Sequence, residues 1–420
     1  MAQTLAQKIL QAHTDDAVEQ DGQIVQCRVS MVLANDITGP LAIKSFYGMG
    51  AKKVFDRAKI ALVMDHFTPQ KDIDSANQVL ISRRFAEEQG IVHYYEGGDC
   101  GVEHTLLPEQ GLVGPGDLVI GADSHTCTYG GIGAFATGMG STDIAAGMAL
   151  GETWLKVPST IRVNISGDMP RWLRGKDLML MLIGEIGVDG ALYKALEFGG
   201  SVVDALSVEG RLSMANMAIE AGGKVGLFAV DAKTRTYCAE HKRPGVLENM
   251  AADSGAVYER VVDMDVTGKE PVVACPHLPS NVKPVSEVRD TAIQQVVIGS
   301  CTNGRISDMR DAAEVLRGRK VDKNVRCIVL PSTPTVWKQC LREGLIEVFM
   351  EAGCIVGPST CGPCLGGHMG ILGDGERAVA TTNRNFRGRM GSLSSEVYLA
   401  SPLVAAASAV TGYVAGPDQL

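Results

Sequence analysis

The chain lacks any uninterrupted apolar run of the roughly 18 residues that a membrane-crossing helix needs. It also lacks an excess of positive charge. A net charge of −9 argues against non-specific binding to nucleic acid or to an anionic membrane surface. It leaves room for an anionic small substrate, because a local arginine cluster overrules the global field. Met1 to Asp15 shows no charged-then-apolar pattern with a cleavage site, so no secretory signal is expected. No fixed-period repeat is present, which excludes a solenoid. A P-loop is absent too: Gly130-Gly131-Ile132-Gly133 is not followed by the Lys-Ser/Thr that grips phosphate. Gly373-Asp374-Gly375-Glu376-Arg377-Ala378 has the letters of a dinucleotide fingerprint. It precedes an apolar run instead of following a strand and opening a helix, so the required context is missing.

What is there is ordinary in bulk. The chain has 420 residues, 45% hydrophobic and 21% charged, enough for two or three domains of a soluble globular protein. Forty-nine glycines suggest many tight turns between short elements. Eleven cysteines, an odd number with no signal peptide, read as reduced thiols in the cytoplasm and not as a disulfide framework.

Along the chain, Leu5 to His13 reads as a short helix. Asp36-Ile37-Thr38-Gly39-Pro40 reads as a turn, with a helix from Pro40 to Met49. A helix is expected from about Asp72 to Gln89, closed by Gly90. Ser141-Thr142-Asp143 is expected to cap a helix running to about Leu155. The tail from Pro402 to Gly416 reads as a buried terminal helix. Five apolar runs of strand length each end in a polar or thiol cluster. Ile60 to Met64 leads to Asp65-His66, and Asp117 to Gly121 leads to Asp123-Ser124-His125. Gln295 to Gly299 leads to Ser300-Cys301-Thr302, Cys354 to Gly357 to Cys361-Gly362-Pro363-Cys364, and Arg377 to Thr381 to Asn383-Arg384-Asn385. In open α/β sheets ligands gather outside the carboxyl ends of strands, so these clusters are expected to share one site. Proline-marked joints at Lys156-Val157-Pro158 and Cys275 to Pro284 suggest α/β units near 1–157, 158–280 and 281–420.

Cys361 and Cys364, two residues apart in a Gly-Pro turn, suit one metal centre or one disulfide. With Cys301 they suggest a metal cluster. Two other readings remain open on these residues alone: a thioredoxin-type dithiol and a structural zinc site, for which His368 or Cys354 would be the nearby fourth ligand. Three thiolates, where Fe–S clusters commonly use four, would leave one iron open as a Lewis acid. Asp65-His66 and Asp123-Ser124-His125, with His104 and Glu220, supply carboxylates beside imidazoles in a chain with only 8 histidines. Such pairs suit general acid–base work, although an Asp and a His at a strand end are often just a capped turn. Asn383-Arg384-Asn385-Phe386-Arg387-Gly388-Arg389 packs three guanidinium groups, which bind carboxylates bidentately, into one loop; a solvated basic loop is the plain alternative. The other eight cysteines read as buried or half-buried thiols.

Taken together and in this order, Asp65-His66, Ala122 to Thr126, Asn216 to Glu220, Gly299 to Asn303, Cys361 to Cys364 and Asn383 to Arg389 resemble the aconitase superfamily. Within it the chain is most similar to the branch of 3-isopropylmalate dehydratase and homoaconitase large subunits, from about residue 30 onward. The resemblance implies three α/β domains around a central 4Fe-4S cluster on Cys301, Cys361 and Cys364, with one iron left for substrate. It implies imidazole–carboxylate pairs drawn from Asp65, His66, His104, Asp123, His125 and Glu220, with His66 protonating the departing hydroxyl. Ser124, Asn216, Asn383, Arg384 and Arg389 would hold substrate carboxylates and the cluster surroundings.

Two departures from aconitase shape the expectation. The mobile fourth domain, with its serine base and further arginines, has no counterpart before Leu420, which implies a separate small subunit and a large subunit inactive alone. Leu41 stands in Thr38-Gly39-Pro40-Leu41 where aconitase has a substrate-contacting glutamine, which argues against citrate. The implied function is a cytoplasmic hydro-lyase subunit that isomerises 2-isopropylmalate and 3-isopropylmalate in leucine biosynthesis. Homoaconitase, citraconate or citramalate, and 2,3-dimethylmalate chemistry are alternatives within the class. A thiol redox protein and a cluster-free RNA-binding regulator are alternatives outside it.

Overall fold

A computed structural model describes residues 2–243 and 250–420 of the chain. Strand β1 (Ile24–Arg28) belongs to a separate two-stranded sheet. Strands β2 (Met31–Asn35), β3 (Ile60–Val63), β4 (His93–Tyr95), β5 (Leu118–Gly121) and β6 (Phe135–Gly138) form a sheet in the order β4-β3-β2-β5-β6. Every pairing in it is parallel. The inner strands β2, β3 and β5 are buried at every position, as parallel strands covered on both faces must be. Strand β7 (Glu152–Lys156) turns back to pair antiparallel with β1.

A second parallel sheet, in the order β10-β9-β8-β11, is made of β8 (Thr160–Ser166), β9 (Ala195–Gly199), β10 (Val225–Phe228) and β11 (Arg260–Asp265). The third sheet has seven strands, ordered β13-β12-β18-β17-β14-β15-β16. They are β12 (Val272–Ala274), β13 (Val282–Pro284), β14 (Gln295–Gly299), β15 (Arg326–Leu330), β16 (Ile355–Val356), β17 (Arg377–Ala380) and β18 (Glu396–Leu399). Strands β14 to β18 run parallel, and β12 joins them antiparallel through β18. Strand β12 precedes the joint expected near 280 yet pairs in the third sheet. One buried cluster runs from Leu178, Phe198 and Met264 beside the second sheet to Val297, Leu330 and Ala380 in the third. These two units therefore share a core.

The local grammar follows the residues. Asp72 caps the helix Ile73–Gln89 by accepting from Ser75 N, and Gly90 closes it at φ 66°, the left-handed turn that glycine makes without a Cβ penalty. The terminal helix Pro402–Thr411 is buried almost throughout, with proline in its first turn, where the missing N–H costs nothing. Three expectations fail in detail. The terminal helix stops at Thr411, where Gly412 turns to φ 78°, and not at Gly416. Gly140 and not Ser141 stands at the N-cap of the helix Ser141–Leu150, with no side-chain cap bond. The helix from Ser141 ends at Leu150, not near Leu155, because Gly151 adopts φ 73° and stops it. Glu152–Lys156 then alternates exposed and buried as a strand. The alternation was in the sequence, but the apolar content of the preceding helix masked it.

Strands β3 and β5 in the first sheet, and β14, β16 and β17 in the third, each deliver one polar or thiol cluster from their carboxyl ends. The two sheets bring these ends face to face. The contact is direct: Cys361 N donates to Asp65 O at 3.0 Å, and Thr360 Oγ1 to the same carbonyl at 2.8 Å.

Candidate active site

Cys301 leaves β14 through Gly299 and Ser300, which sit at φ 142° and 130°. That conformation is expensive for a serine. Ser300 Oγ compensates by accepting from Thr302 N and Asn303 N at 3.2 and 3.3 Å. Cys361 caps the short 3-10 turn Gly362–Leu365, and Cys364 lies within it. All three thiols are buried. N–H donors are aimed at the sulfurs. Asn216 Nδ2 lies 3.2 Å and Asn383 Nδ2 3.4 Å from Cys301 Sγ, and Arg389 Nη2 lies 3.5 Å from Cys364 Sγ. A hydrogen bond from the Cys361 thiol and the Arg389 charge hold Cys364 well below the usual thiol range. Burial, with Cys364 nearby, pushes Cys301 up to about 12.

Facing the thiols are three imidazoles, each with its own carboxylate. His66 Nδ1 lies 2.6 Å from Asp65 Oδ1, His104 Nε2 2.9 Å from Asp123 Oδ1, and His125 Nε2 2.8 Å from Glu220 Oε1. Asp123 is the hub. Its oxygens also lie 3.6 Å from His66 Nε2 and 3.5 Å from His125 Nδ1. Burial works against protonating His66, but Asp65, Asp123 and Asp36 overcome it and hold the imidazole well above its usual range. Burial pulls His104 down. Burial would raise Asp123, yet its bonds to His104, His125 and His66 hold it well below the carboxylate range. Burial works against protonating His125 as well, but Asp123 and Glu220 overcome it and raise it. Two imidazoles that favour the protonated form and one that favours the neutral form therefore surround a fixed negative charge.

The remaining expected residues join the same network. Arg384 Nε donates to Glu220 Oε1 at 2.9 Å and its Nη2 to Ser124 Oγ at 3.0 Å. Asn383 Nδ2 donates to Thr302 Oγ1 at 3.0 Å, and Thr302 Oγ1 donates to Asn216 Oδ1 at 2.7 Å. A cavity of about 280 Å³ is lined by Asp65, His66, His104, Asp123, Ser124 and His125, by all three cysteines and by Asn383, Arg384 and Arg389. Glu220 and Asn216 support it from behind through His125 and Cys301.

Sequence reasoning missed several residues here. Asp36 accepts from His66 N and Phe67 N at 2.9 and 2.8 Å. Asn35 donates to Glu103 Oε1 at 3.1 Å. Asn35 ends β2 and Asp36 follows it, so this apolar run leads into a polar pair in the same way as the five recognised runs. Glu103 lines the cavity, and burial with Asp65 and Asp123 alongside keeps its carboxyl well above the usual range. Arg305 donates to Thr302 O at 3.1 Å and His104 O at 3.4 Å, tying the Cys301 loop to the His104 turn. No sequence signal marked either of these two.

The donor set can be tested against a metal group. A single tetrahedral zinc with Zn–S near ~2.3 Å needs its sulfurs within about 4 Å of one another. Among the described residues the three cysteines do not form a set with all ligand atoms within 4.8 Å. At least one pair of the three sulfurs is therefore wider than a single zinc ion spans, although Cys361 and Cys364 are close enough to hydrogen-bond. Three buried thiols with N–H donors aimed at two of them suit the thiolate-rich ligation of a polynuclear group.

Comparison with known proteins agrees with this geometry. The pattern of the Aconitase family (aconitate hydratase) matches residues 7–291 and 284–412. The chain is 99% identical to a 3-isopropylmalate dehydratase large subunit from Desulfovibrio desulfuricans over 420 residues, covering 100% of both. It is 74% identical to one from Nitratidesulfovibrio vulgaris, again over 100% of both, and 57% identical to 3-isopropylmalate dehydratase large subunit 1 of Pyrococcus abyssi over 100% of both. The crystal structure of Thermococcus kodakaraensis aconitase X (holo-form) superposes with a TM-score of 0.52 at 14% identity, covering 90% of this chain and 88% of that one. That likeness concerns the fold alone. With cysteines, imidazoles and arginines gathered as the motifs required, and the family pattern spanning nearly the whole length, this chain belongs to the aconitase family.

Proposed function

We propose that this chain is the large, catalytic subunit of a hydro-lyase that isomerises 2-isopropylmalate and 3-isopropylmalate by dehydration and rehydration, in leucine biosynthesis. The observation that carries the reading is the meeting of three thiols, three imidazole–carboxylate pairs and two arginines at one cavity. The names of the full-length relatives supply the substrate. Homoaconitate, citraconate or citramalate, and dimethylmalate substrates remain the alternatives within the class.

Cys301, Cys361 and Cys364 would hold a 4Fe-4S cluster with one iron lacking a protein ligand. When bound, the group supplies a Lewis acid that polarises a hydroxyl or a carboxylate. His66 is the proton donor to the departing hydroxyl. Asp65 fixes its Nδ1, so Nε2 is the nitrogen available for transfer, and the raised affinity for protons keeps the acid form present at neutral pH. Arg384, Arg389 and Ser124 bind substrate carboxylates. The pairs His104–Asp123 and His125–Glu220 fix the charge around the reacting carbons, while Asn216 and Asn383 orient the Cys301 sulfur.

The small subunit, in a heterodimer or heterotetramer, supplies the swivelling domain, the base for the neighbouring carbon and the rest of the side-chain pocket. No helix among the described residues is long and apolar enough to cross a membrane, and the cytoplasm is the proposed location. The test is anaerobic co-purification with the small subunit, then a panel of hydroxy-dicarboxylates. A brown complex that turns over isopropylmalate is expected. Turnover of homocitrate or citramalate but not isopropylmalate would overturn the substrate, and a colourless active complex would overturn the cluster.

A further inference from the structure

Lys176 is one of the largest fully buried side chains in the protein, with 0% of its surface exposed. It sits in the first turn of the helix Gly175–Ile186, which packs beside the second sheet. Its Nζ donates to Thr381 O at 2.7 Å and also to Thr382 O. These carbonyls immediately precede Asn383 and Arg384. Thr381 is joined in turn to the Cys301 loop. Its Oγ1 accepts from Gly299 N at 2.9 Å, and its carbonyl accepts from Ser300 Oγ at 3.2 Å. One ammonium thus pins both site loops to the second unit.

A buried cation needs an anion, because desolvation costs several kcal/mol that carbonyl partners alone do not return. No carboxylate is bonded to Lys176 among the described residues. The two acids that act on it are engaged elsewhere. Asp177 caps its own helix through Arg174 N at 2.8 Å. Asp308 accepts from Asn303 Nδ2 and Arg305 N, each at 2.9 Å. Burial pushes both carboxyls up to about 6, which weakens them as counter-charges. Burial pulls the Lys176 ammonium down to about 7, and the sulfur of Cys364 is the charge that most opposes this fall. Lys176 therefore lacks a full carboxylate partner and lies in the field of the cysteines.

We propose that Lys176 is the buried counter-cation of the sulfur-ligated group and the positioning residue that sets the Cys301 and Asn383 loops against each other. The inference rests on the cluster reading given above. Metal ligation requires deprotonated thiols, so loading the site gathers negative charge in front of a cation that otherwise lacks a partner. Lys176 touches neither substrate nor sulfur. It acts through charge and through the two loops.

The test uses the full chain, reconstituted anaerobically with iron and sulfide, as wild type, Lys176→Met, Lys176→Gln and Lys176→Arg. Two readings are taken on the loaded protein without substrate: the rate of iron loss to a chelator and the reduction potential. Folding is followed separately by circular dichroism. The neutral variants are expected to lose iron about tenfold faster or more and to have a more negative potential, since a positive charge has left the vicinity. Lys176→Arg is expected to stay near wild type. If Lys176→Met does not fold, Lys176→Gln decides on the same two readings, because its amide still donates to one carbonyl. A folded Lys176→Gln with wild-type potential and iron retention overturns the inference alone. A wild type that takes up no iron or sulfide overturns the cluster reading itself.

Discussion

Arg384 Nε lies 2.9 Å from Glu220 Oε1, so the guanidinium assigned to substrate is already held by the carboxylate that orients His125. Ser124 Oγ takes a second of its donors. Arginine's rigid fork serves several acceptors at once, whereas an ammonium on a flexible stem does not reproduce that geometry. Arg384→Lys should therefore raise KM for the dicarboxylate while the cluster stays in place. Hydrogen bonds to charged groups are worth about 1.5–3 kcal/mol, so kcat/KM should fall about tenfold to a hundredfold. Steady-state kinetics with an iron assay on the same sample checks this. Loss of iron in Arg384→Lys would show that the residue serves the sulfur side of the cavity.

Cys301 receives two amide donors, from Asn216 and Asn383, and no other residue can replace its sulfur from β14. Cys301→Ser should abolish the visible absorbance and the activity together. Full activity in this variant would refute the three-thiol assignment. The protein should still fold, because Cys301 lies on a loop whose neighbours Ser300 and Thr302 keep their own bonds.

Much of this site was legible in the residues because each cluster followed a strand-length apolar run, and strand ends are where α/β folds collect ligands. What periodicity could not supply was pairing across the fold. Asp123 sits two residues from His125, yet its 2.9 Å partner is His104, and His125 turns to Glu220. Glu103 and Lys176 were invisible for a different reason. Each is a charged residue in a helix, where exposure is the ordinary expectation, and only the packed structure shows both buried. The strand Glu152–Lys156 was lost because Gly151 was not read as a helix stop.

The glycine-rich loop that failed as a phosphate cradle has a packing role. The 3-10 segment Ser124–Ile132 runs beneath the helix Val208–Asn216. A Cβ on Gly131 would come within 2.6 Å of Leu212 Cα and N, backbone atoms that cannot swing aside. The close approach places His125 at one end of this segment opposite Glu220. Gly131→Ala should destabilise the protein by about 1–3 kcal/mol, the usual cost of overpacking. It should also lower kcat through a displaced His125. Denaturant midpoints and kinetics together test this, and an unchanged midpoint would mean that the helix shifts freely.

Glu103 offers a test whose sign is fixed by linkage. Burial, together with Asp65 and Asp123, holds its carboxyl well above the usual carboxylate range. The folded protein therefore binds this proton more tightly than the unfolded chain. Below the unfolded value of about 4.3 both states are protonated and the group is neutral to stability. As pH rises through that value the unfolded chain releases the proton and the folded one retains it, so stability falls until the folded group also ionises. Glu103→Gln removes the titration while its amide oxygen still accepts from Asn35 Nδ2. The variant should gain on the wild type through a window that opens as pH rises above the unfolded value of about 4.3 and lasts until the folded carboxyl also ionises. Melting curves across that window measure the gap. A gap that stays constant or closes with pH would show that Glu103 is ionised in the folded protein, and would remove it as a neutral acid beside His66 and Asp123.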